Sequence, residues 1–204
     1  MLPDKIALAQ AVCTRLCHDL GGPAGALAGA LDLLDGPGDD AMDVARDAAR
    51  IMDRRIRFYR AAVGAGCGDC RVEEIAQMAE GLTLGRKAMI DLADLEPNAV
   101  FPAHLTQAML LACWTAVDAL PRGGVVRLGG DVEGGLSIWP DGPGAAWPVG
   151  LAAGLAGDAV ALNARSVSVP LLLGVSASAG IQLELMMGAG NSASPLLLTL
   201  ATRN

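Results

Sequence analysis

The sequence predicts an α+β protein in two parts, an N-terminal helical hairpin over residues 1–65 and a C-terminal α/β sandwich over residues 71–204. Two segments, 4–35 and 40–64, carry apolar side chains at spacings of three and four, as amphipathic helices do. Residues 63–70 are rich in glycine and have no hydrophobic period, which is typical of a linker. After residue 71, short helical patterns mix with apolar and β-branched runs that suit strands.

Composition and charge exclude several classes of protein. The 204 residues are 52% hydrophobic and carry a net charge of −7, whereas nucleic-acid binding needs clustered positive charge. No run reaches the roughly 18 apolar residues that a membrane span needs, and Pro3, Asp4 and Lys5 interrupt any signal peptide. We therefore expect a cytoplasmic protein with reduced cysteines and with neither nucleic acid nor a membrane as partner.

The first helix carries one apolar stripe along its length. If Cys13 takes heptad position a, the other a positions are also apolar and Leu16 takes position d. The remaining a positions are Leu20, Leu27 and Leu34. The helix is predicted to begin near Asp4 and to end at the breaker cluster over residues 35–38.

The same heptad places His18 at position f, opposite the apolar seam, where a side chain faces solvent. Its chain neighbour is a carboxylate, Asp19. Arg15, Gly21 and Gly22 lie one turn away on the same face, and the two glycines leave room for another backbone to approach. An idle surface histidine is the alternative interpretation of this arrangement.

The second helix, predicted to begin at Asp39 or Asp40, has an apolar stripe and six arginines in fifteen residues. Most of these charges suit a solvated face, although they could also steer an acidic partner. A short connection makes the two helices antiparallel neighbours. Because a hairpin of this length leaves apolar surface uncovered, we predict a homodimer in which two hairpins form a four-helix bundle.

The C-terminal part mixes helices with strands that we expect to be antiparallel, as in one helical layer on one sheet. Helices are predicted at 72–86, 102–120, 149–155 and 167–179, and strands at 88–92, 125–128, 136–139, 181–186 and 196–202. Cys67 and Cys70 form a Cys-x-x-Cys, but a zinc site wants two more ligands at similar spacing, so we expect no metal there.

Two stretches resemble known signalling proteins. Residues 16–26, Leu-Cys-His-Asp-Leu-Gly-Gly-Pro-Ala-Gly-Ala, resemble the phosphoacceptor motif of two-component signalling, and in particular the ChpT-type histidine phosphotransferases of alphaproteobacteria. Residues 105–124 resemble the histidine-kinase ATPase helix that carries a Mg²⁺-binding asparagine, but Leu111 and Thr115 stand at the asparagine positions. Pro140 stands at the position of the aspartate that binds the adenine base in these ATPase domains. Residues 169–175 lack the glycine-rich sequence of their phosphate-binding lid. The resemblance implies an ATPase-like fold that no longer uses ATP.

The resemblance also implies a role in a phosphorelay. His18 would accept a phosphoryl group from a receiver-domain aspartate, as found in hybrid histidine kinases, and pass it to a response regulator. Asp19 would share the catalytic role by fixing the His18 tautomer. Arg15 would pair with phosphoryl oxygens or the receiver, and Gly21 and Gly22 would admit receiver loops. Mg²⁺ would come with the receiver, so we expect no cofactor in this chain.

Two alternatives from other classes remain open. In a non-catalytic dimeric adaptor, His18 would be idle, and an acid-labile phosphoramidate on this residue would exclude that function. In an ATP-dependent histidine kinase, label from the γ-phosphate of ATP would appear on the purified protein.

Overall fold

The computed structural model describes residues 5–33, 40–187 and 193–200. The helices are α1 (Lys5–Asp32), α2 (Asp40–Ala62), α3 (Val72–Thr83), α4 (Ala103–Asp118), α5 (Val149–Leu155) and α6 (Ser168–Ala179). The strands are β1 (Cys70–Arg71), β2 (Ala88–Leu95), β3 (Val100–Phe101), β4 (Gly124–Asp131), β5 (Gly135–Asp141), β6 (Ile181–Leu185) and β7 (Leu196–Leu200). Within these ranges, no helix combines the length and apolar character needed to cross a membrane.

The two N-terminal helices form as predicted and pack against each other. In α1 the buried positions repeat at intervals of four and seven, which defines one inward face. These positions are Arg15, Asp19, Pro23 and Ala30, so the inward face is partly charged. The predicted cap at Asp4, the breaker cluster at 35–38, Leu34 and a helix start at Asp39 lie outside the described residues.

Five strands form a mixed sheet in the order β2-β4-β5-β7-β6. The predicted hairpin of β4 and β5 is confirmed, and β7 pairs antiparallel with both β5 and β6. The expectation of antiparallel strands is wrong for β2, which runs parallel to β4. A parallel pair needs a long crossover, and α4 lies in the connection between these two strands. A separate two-residue ladder joins β1 to β3.

A single apolar cluster joins the helical hairpin to the sheet. Helix α4 is buried along nearly its whole length and contacts α2, α3, α6 and the sheet. Phe58 and Tyr59 of α2 belong to the same cluster as Trp114 of α4. Residues 71–200, called the sheet unit here, therefore support the hairpin from one side. The division of the chain into domains at 1–65 and 71–204 stays a prediction.

Candidate functional site

His18 lies on the outer face of α1, and its side chain is 82% exposed. Its ring nitrogen Nδ1 is 3.0 Å from Oδ1 of Asp19. The carboxylate that follows the histidine in the chain therefore contacts the imidazole, as the sequence predicts. An ionised carboxylate only accepts hydrogen bonds, so in the neutral form of the ring this contact favours the proton on Nδ1 and leaves the lone pair on Nε2.

Asp19 is 5% exposed and lies at the centre of a group of charged and polar side chains. Its Oδ2 accepts hydrogen bonds from Arg15 Nε at 2.8 Å and from the Tyr59 hydroxyl at 2.5 Å. Arg86 approaches the same oxygen at 3.4 Å. We call this group the Asp19 cluster; its members are Arg15, Asp19, Arg55, Tyr59, Arg86 and Asp118. Burial raises the pKa of Asp19, but hydrogen bonds from Tyr59, Arg15 and His18 outweigh it and hold this pKa at about 2.

Arg15 points inward, away from the partner-facing position that the sequence suggests. It is 8% exposed, and its Nε is bound to Asp19. Its terminal nitrogens lie 2.8 and 3.3 Å from the two carboxylate oxygens of Asp118 on α4. One of them, Nη1, also donates to the backbone carbonyls of Ala164 and Arg165. With all three nitrogens engaged, Arg15 is placed to orient Asp19, and a contact with phosphoryl oxygens would require it to leave these partners.

Pro23 leaves one backbone carbonyl of α1 available for a hydrogen bond from α2. A helical carbonyl accepts from the N–H four residues later, but proline has none, so the carbonyl of Asp19 lacks its helical donor. Arg55 of α2 donates a terminal N–H to this carbonyl and a longer bond to the carbonyl of Leu84. A guanidinium from the second helix thus replaces the missing helical hydrogen bond one residue after His18.

Three of the six aromatic residues of the protein lie beneath the site. The rings of Phe58, Tyr59 and Trp114 meet edge to face, with centroids 5.3 to 5.9 Å apart. The guanidinium carbon of Arg15 lies 5.2 Å from the centroid of Trp114. Burial, together with the carboxylate of Asp19, raises the pKa of Tyr59, so its hydroxyl keeps its proton and remains a donor.

The Asp19 cluster contains three guanidinium groups and two carboxylates. Burial raises the pKa of Asp118, and the charge of Arg15 opposes this rise. Arg55 donates to neutral carbonyls in the contacts described above, and burial and the nearby Arg86 lower its pKa. Even with both carboxylates ionised, the charge beside His18 is positive, which favours an incoming anion.

Gly21 and Gly22 follow on the exposed side of α1. A Cβ placed on either glycine would meet no atom within 4 Å. A glycine inside a helix costs about 0.5–1 kcal/mol relative to alanine, and no contact within the chain requires these two. The surface beside His18 is therefore open to the close approach of a partner.

The positions that the sequence resemblance relates to nucleotide contacts in ATPase domains have other contacts in this chain. Leu111 and Thr115 are fully buried, and the Thr115 hydroxyl donates to the carbonyl of Leu111 at 2.9 Å. Pro140 is buried in β5, while Asp141 lies on the surface, 3.5 Å from Arg127. These side chains are committed to packing or to a surface ion pair.

Cys67 is half-buried and Cys70 is buried, and both are free thiols. Burial, with a contribution from Cys67, raises the pKa of Cys70 to about 12. Across residues 5–33, 40–187 and 193–200, no group of three or more histidine, cysteine or acidic side chains is arranged to hold a metal ion.

The sequence points to His18 and Asp19 but not to the residues that surround them. Neither Tyr59 nor Asp118 is predicted from the sequence to be a site residue. The available signals were a lone carboxylate in a very apolar helix and the single tyrosine of the chain on an arginine-rich helix.

Comparisons with known proteins agree on one family. The sequence model for the histidine phosphotransferase C-terminal domain matches residues 72–190. The protein phosphotransferase ChpT of Brucella abortus (strain 2308) is 28% identical over 132 residues, which make up 62% of this chain and 63% of the Brucella protein. The alignment thus spans slightly less than two thirds of that relative.

One solved structure supports the same relationship. A bacterial phosphotransferase solved at 1.7 Å aligns with a TM-score of 0.74 and 25% identity over 97% of both chains. The histidine kinase AdeS of Acinetobacter baumannii aligns with a TM-score of 0.45 and 11% identity, over 92% of this chain and 98% of that one.

Proposed function

Because the chain belongs to the histidine phosphotransferase family, we propose that His18 carries a phosphoryl group between two receiver domains of a two-component phosphorelay. The donor would be an aspartyl phosphate, as on the receiver of a hybrid histidine kinase. The acceptor would be the aspartate of a response regulator. The observation that supports this proposal best is the exposed His18 ring, held at Nδ1 by a buried carboxylate.

The geometry fits the chemistry of each step. Nε2 of His18 attacks the phosphorus, the bond from phosphorus to the aspartyl oxygen breaks, and its electron pair leaves with the receiver carboxylate. The ring then becomes positively charged, and the Nδ1–H bond to ionised Asp19 stabilises that charge. The positive balance of the Asp19 cluster favours the phosphoryl dianion. Transfer to the second receiver repeats these steps in reverse.

The site lies on α1, before the residues that match the family model. The assignment of His18 as the phosphoacceptor is therefore supported by the sequence motif and the site geometry. The family match supports only phosphotransfer in general. The Brucella relative is described as a protein phosphotransferase, which supports proteins as partners. Phosphoryl transfer depends mainly on positioning and charge neutralisation, and the receiver would bring the Mg²⁺ that assists it.

The surface around His18 would receive the partner. Gly21 and Gly22 leave the backbone of α1 accessible beside the imidazole. Replacing either by alanine should stabilise the helix by roughly 0.5–1 kcal/mol and slow phosphoryl transfer, because the added methyl group enters the docking surface. Gly29→Ala is a matched control, since this position is equally open and lies three turns away from His18. Equal transfer rates in all three variants would remove the glycines from the docking surface.

We also propose that the hairpin pairs with a second copy. On α2, Met42 and Ile56 are exposed at a spacing of two heptads. On α1, the predicted seam residue Cys13 is exposed, and Leu20 and Leu27 are only half-buried. Two apolar lines on adjacent helices suit the core of a four-helix bundle. Sedimentation should show a dimer that Ile56→Glu dissociates; a monomeric wild-type chain would contradict the pairing.

The direct test of the proposed function uses the two histidines of the chain, His18 and His104. A receiver domain carrying ³²P on its aspartate should label the wild-type protein and the His104→Gln variant equally, and His18→Gln should remain unlabelled. Label on His18→Gln would show that another residue accepts the group. Label from the γ-phosphate of ATP alone would instead indicate a kinase, and absence of label from every receiver tested would favour the adaptor.

A further inference from the structure

The side chain of Asp118 is a nearly buried carboxylate that its own helix does not stabilise. Asp118 is the last residue of this helix, where the partial negative charge of the helix terminus disfavours an acidic side chain. Its side chain is 13% exposed, and burial raises its pKa. Ser168 gives it one long hydrogen bond of 3.4 Å. The main compensation comes from another part of the chain, in the two hydrogen bonds from Arg15, at 2.8 and 3.3 Å.

The guanidinium of Arg15 connects the carboxylate of Asp118 to the carboxylate of Asp19. This group is planar, and its donors point in fixed directions. Two of its nitrogens hold Asp118, and Nε holds Asp19. The contacts with Asp118 on α4 help to fix how Arg15 is turned. Arg15, together with the Tyr59 hydroxyl, holds Oδ2 of Asp19 and leaves its other oxygen for His18. That oxygen, Oδ1, is the one that contacts Nδ1 of the imidazole.

We propose that Asp118 is a positioning residue for His18, through which the sheet unit sets the tautomer and orientation of the reacting ring. Stability alone is a weak explanation for such a cluster, because well-packed apolar residues can often replace a whole buried ion pair without loss of stability. A series of four side chains, Asp118–Arg15–Asp19–His18, connects the C-terminal end of α4 to the surface of α1. The effect on rate rests on the proposed function, whereas the effect on the tautomer does not.

The experiment compares Asp118→Asn and Arg15→Lys with the wild-type full-length chain. Asp91→Asn is the control, because Asp91 is also paired with an arginine, Arg127, but lies on the sheet outside the cluster. ¹⁵N NMR of the neutral imidazole reports the tautomer of His18. Phosphorylation by phosphoramidate, a small phosphoryl donor, measures the reactivity of His18 without partner docking.

We expect His18 of the wild type and of Asp91→Asn to carry its proton on Nδ1. Both cluster variants should shift protons to Nε2 and react about tenfold more slowly, as when a residue that orients a functional histidine is removed. Circular dichroism checks that each variant is folded; if Asp118→Asn is not, Arg15→Lys decides, since it keeps the buried positive charge. A folded variant with wild-type tautomer and rate would overturn the proposal. A wild-type chain that accepts no phosphoryl group would refute the proposed function, while the tautomer comparison would still decide the role of Asp118.

Discussion

Replacing Asp19 by asparagine removes the charge at the centre of the cluster and should make the stability of the protein less dependent on pH. The pKa of this carboxyl falls from 3.8 to about 2 in the folded chain. At about 1.4 kcal/mol for each pH unit, the ionised carboxylate stabilises the fold by roughly 2.5 kcal/mol. Because the folded-state pKa is lowered, this contribution is fully present above about pH 5 and is lost as pH falls through the folded-state value near 2.

Urea unfolding of the wild type and of Asp19→Asn, followed by circular dichroism between pH 7 and pH 3, measures this contribution. At pH 7 the variant should be less stable by at least about 2.5 kcal/mol, because Arg15 and Arg86 lose a carboxylate partner. By pH 3 the difference should shrink by roughly 1 kcal/mol, because protonation of Asp19 has by then removed that part of its contribution. Asp53→Asn removes an exposed ion pair with Arg57 and should cost less than about 0.5 kcal/mol at either pH. A difference for Asp19→Asn that does not change with pH would show that its charge does not hold the cluster together.

Two further substitutions test the support of Asp19. Tyr59→Phe removes the hydroxyl that donates to the carboxylate and should lower the free energy of unfolding by about 1.5–3 kcal/mol, measured by urea titration; an unchanged value would mean that this hydrogen bond contributes nothing net. Pro23→Ala returns a helical donor to the carbonyl of Asp19 and should raise the melting temperature, since proline inside a helix costs about 3 kcal/mol. The same change should weaken the bond from Arg55, seen as faster exchange of its guanidinium protons by NMR, and slower exchange would contradict this explanation of the contact.

Local patterns predict the hairpin and the exposure of His18 because both depend on helical periodicity. The heptad that places apolar residues in the seam also places His18 opposite it, and its contact with Asp19 joins adjacent residues. The inward position of Arg15 follows from a contact with Asp118, 103 residues later in the chain. One sequence holds no signal for a pairing at that distance, and an arginine one turn before an exposed histidine looks like a surface residue.

The sheet shows the same limit. The β4–β5 hairpin follows from a local turn and could be predicted, since its strands are joined by three residues. The parallel pairing of β2 with β4 depends on the path of the connection that contains α4. The residue pattern of the two strands holds no information about that path. The burial of Tyr59 against Trp114 likewise depends on the docking of α2 onto α4.

The most direct test of the central claim is to identify the atom that carries the phosphoryl group. After incubation with a phosphorylated receiver, peptide mapping locates the modified residue, and ³¹P and ¹H NMR distinguish the two phosphohistidine isomers. We expect a phosphoryl group on Nε2 of His18, because Asp19 holds Nδ1. A phosphoryl group on Nδ1 of that ring, or on His104, would contradict this expectation.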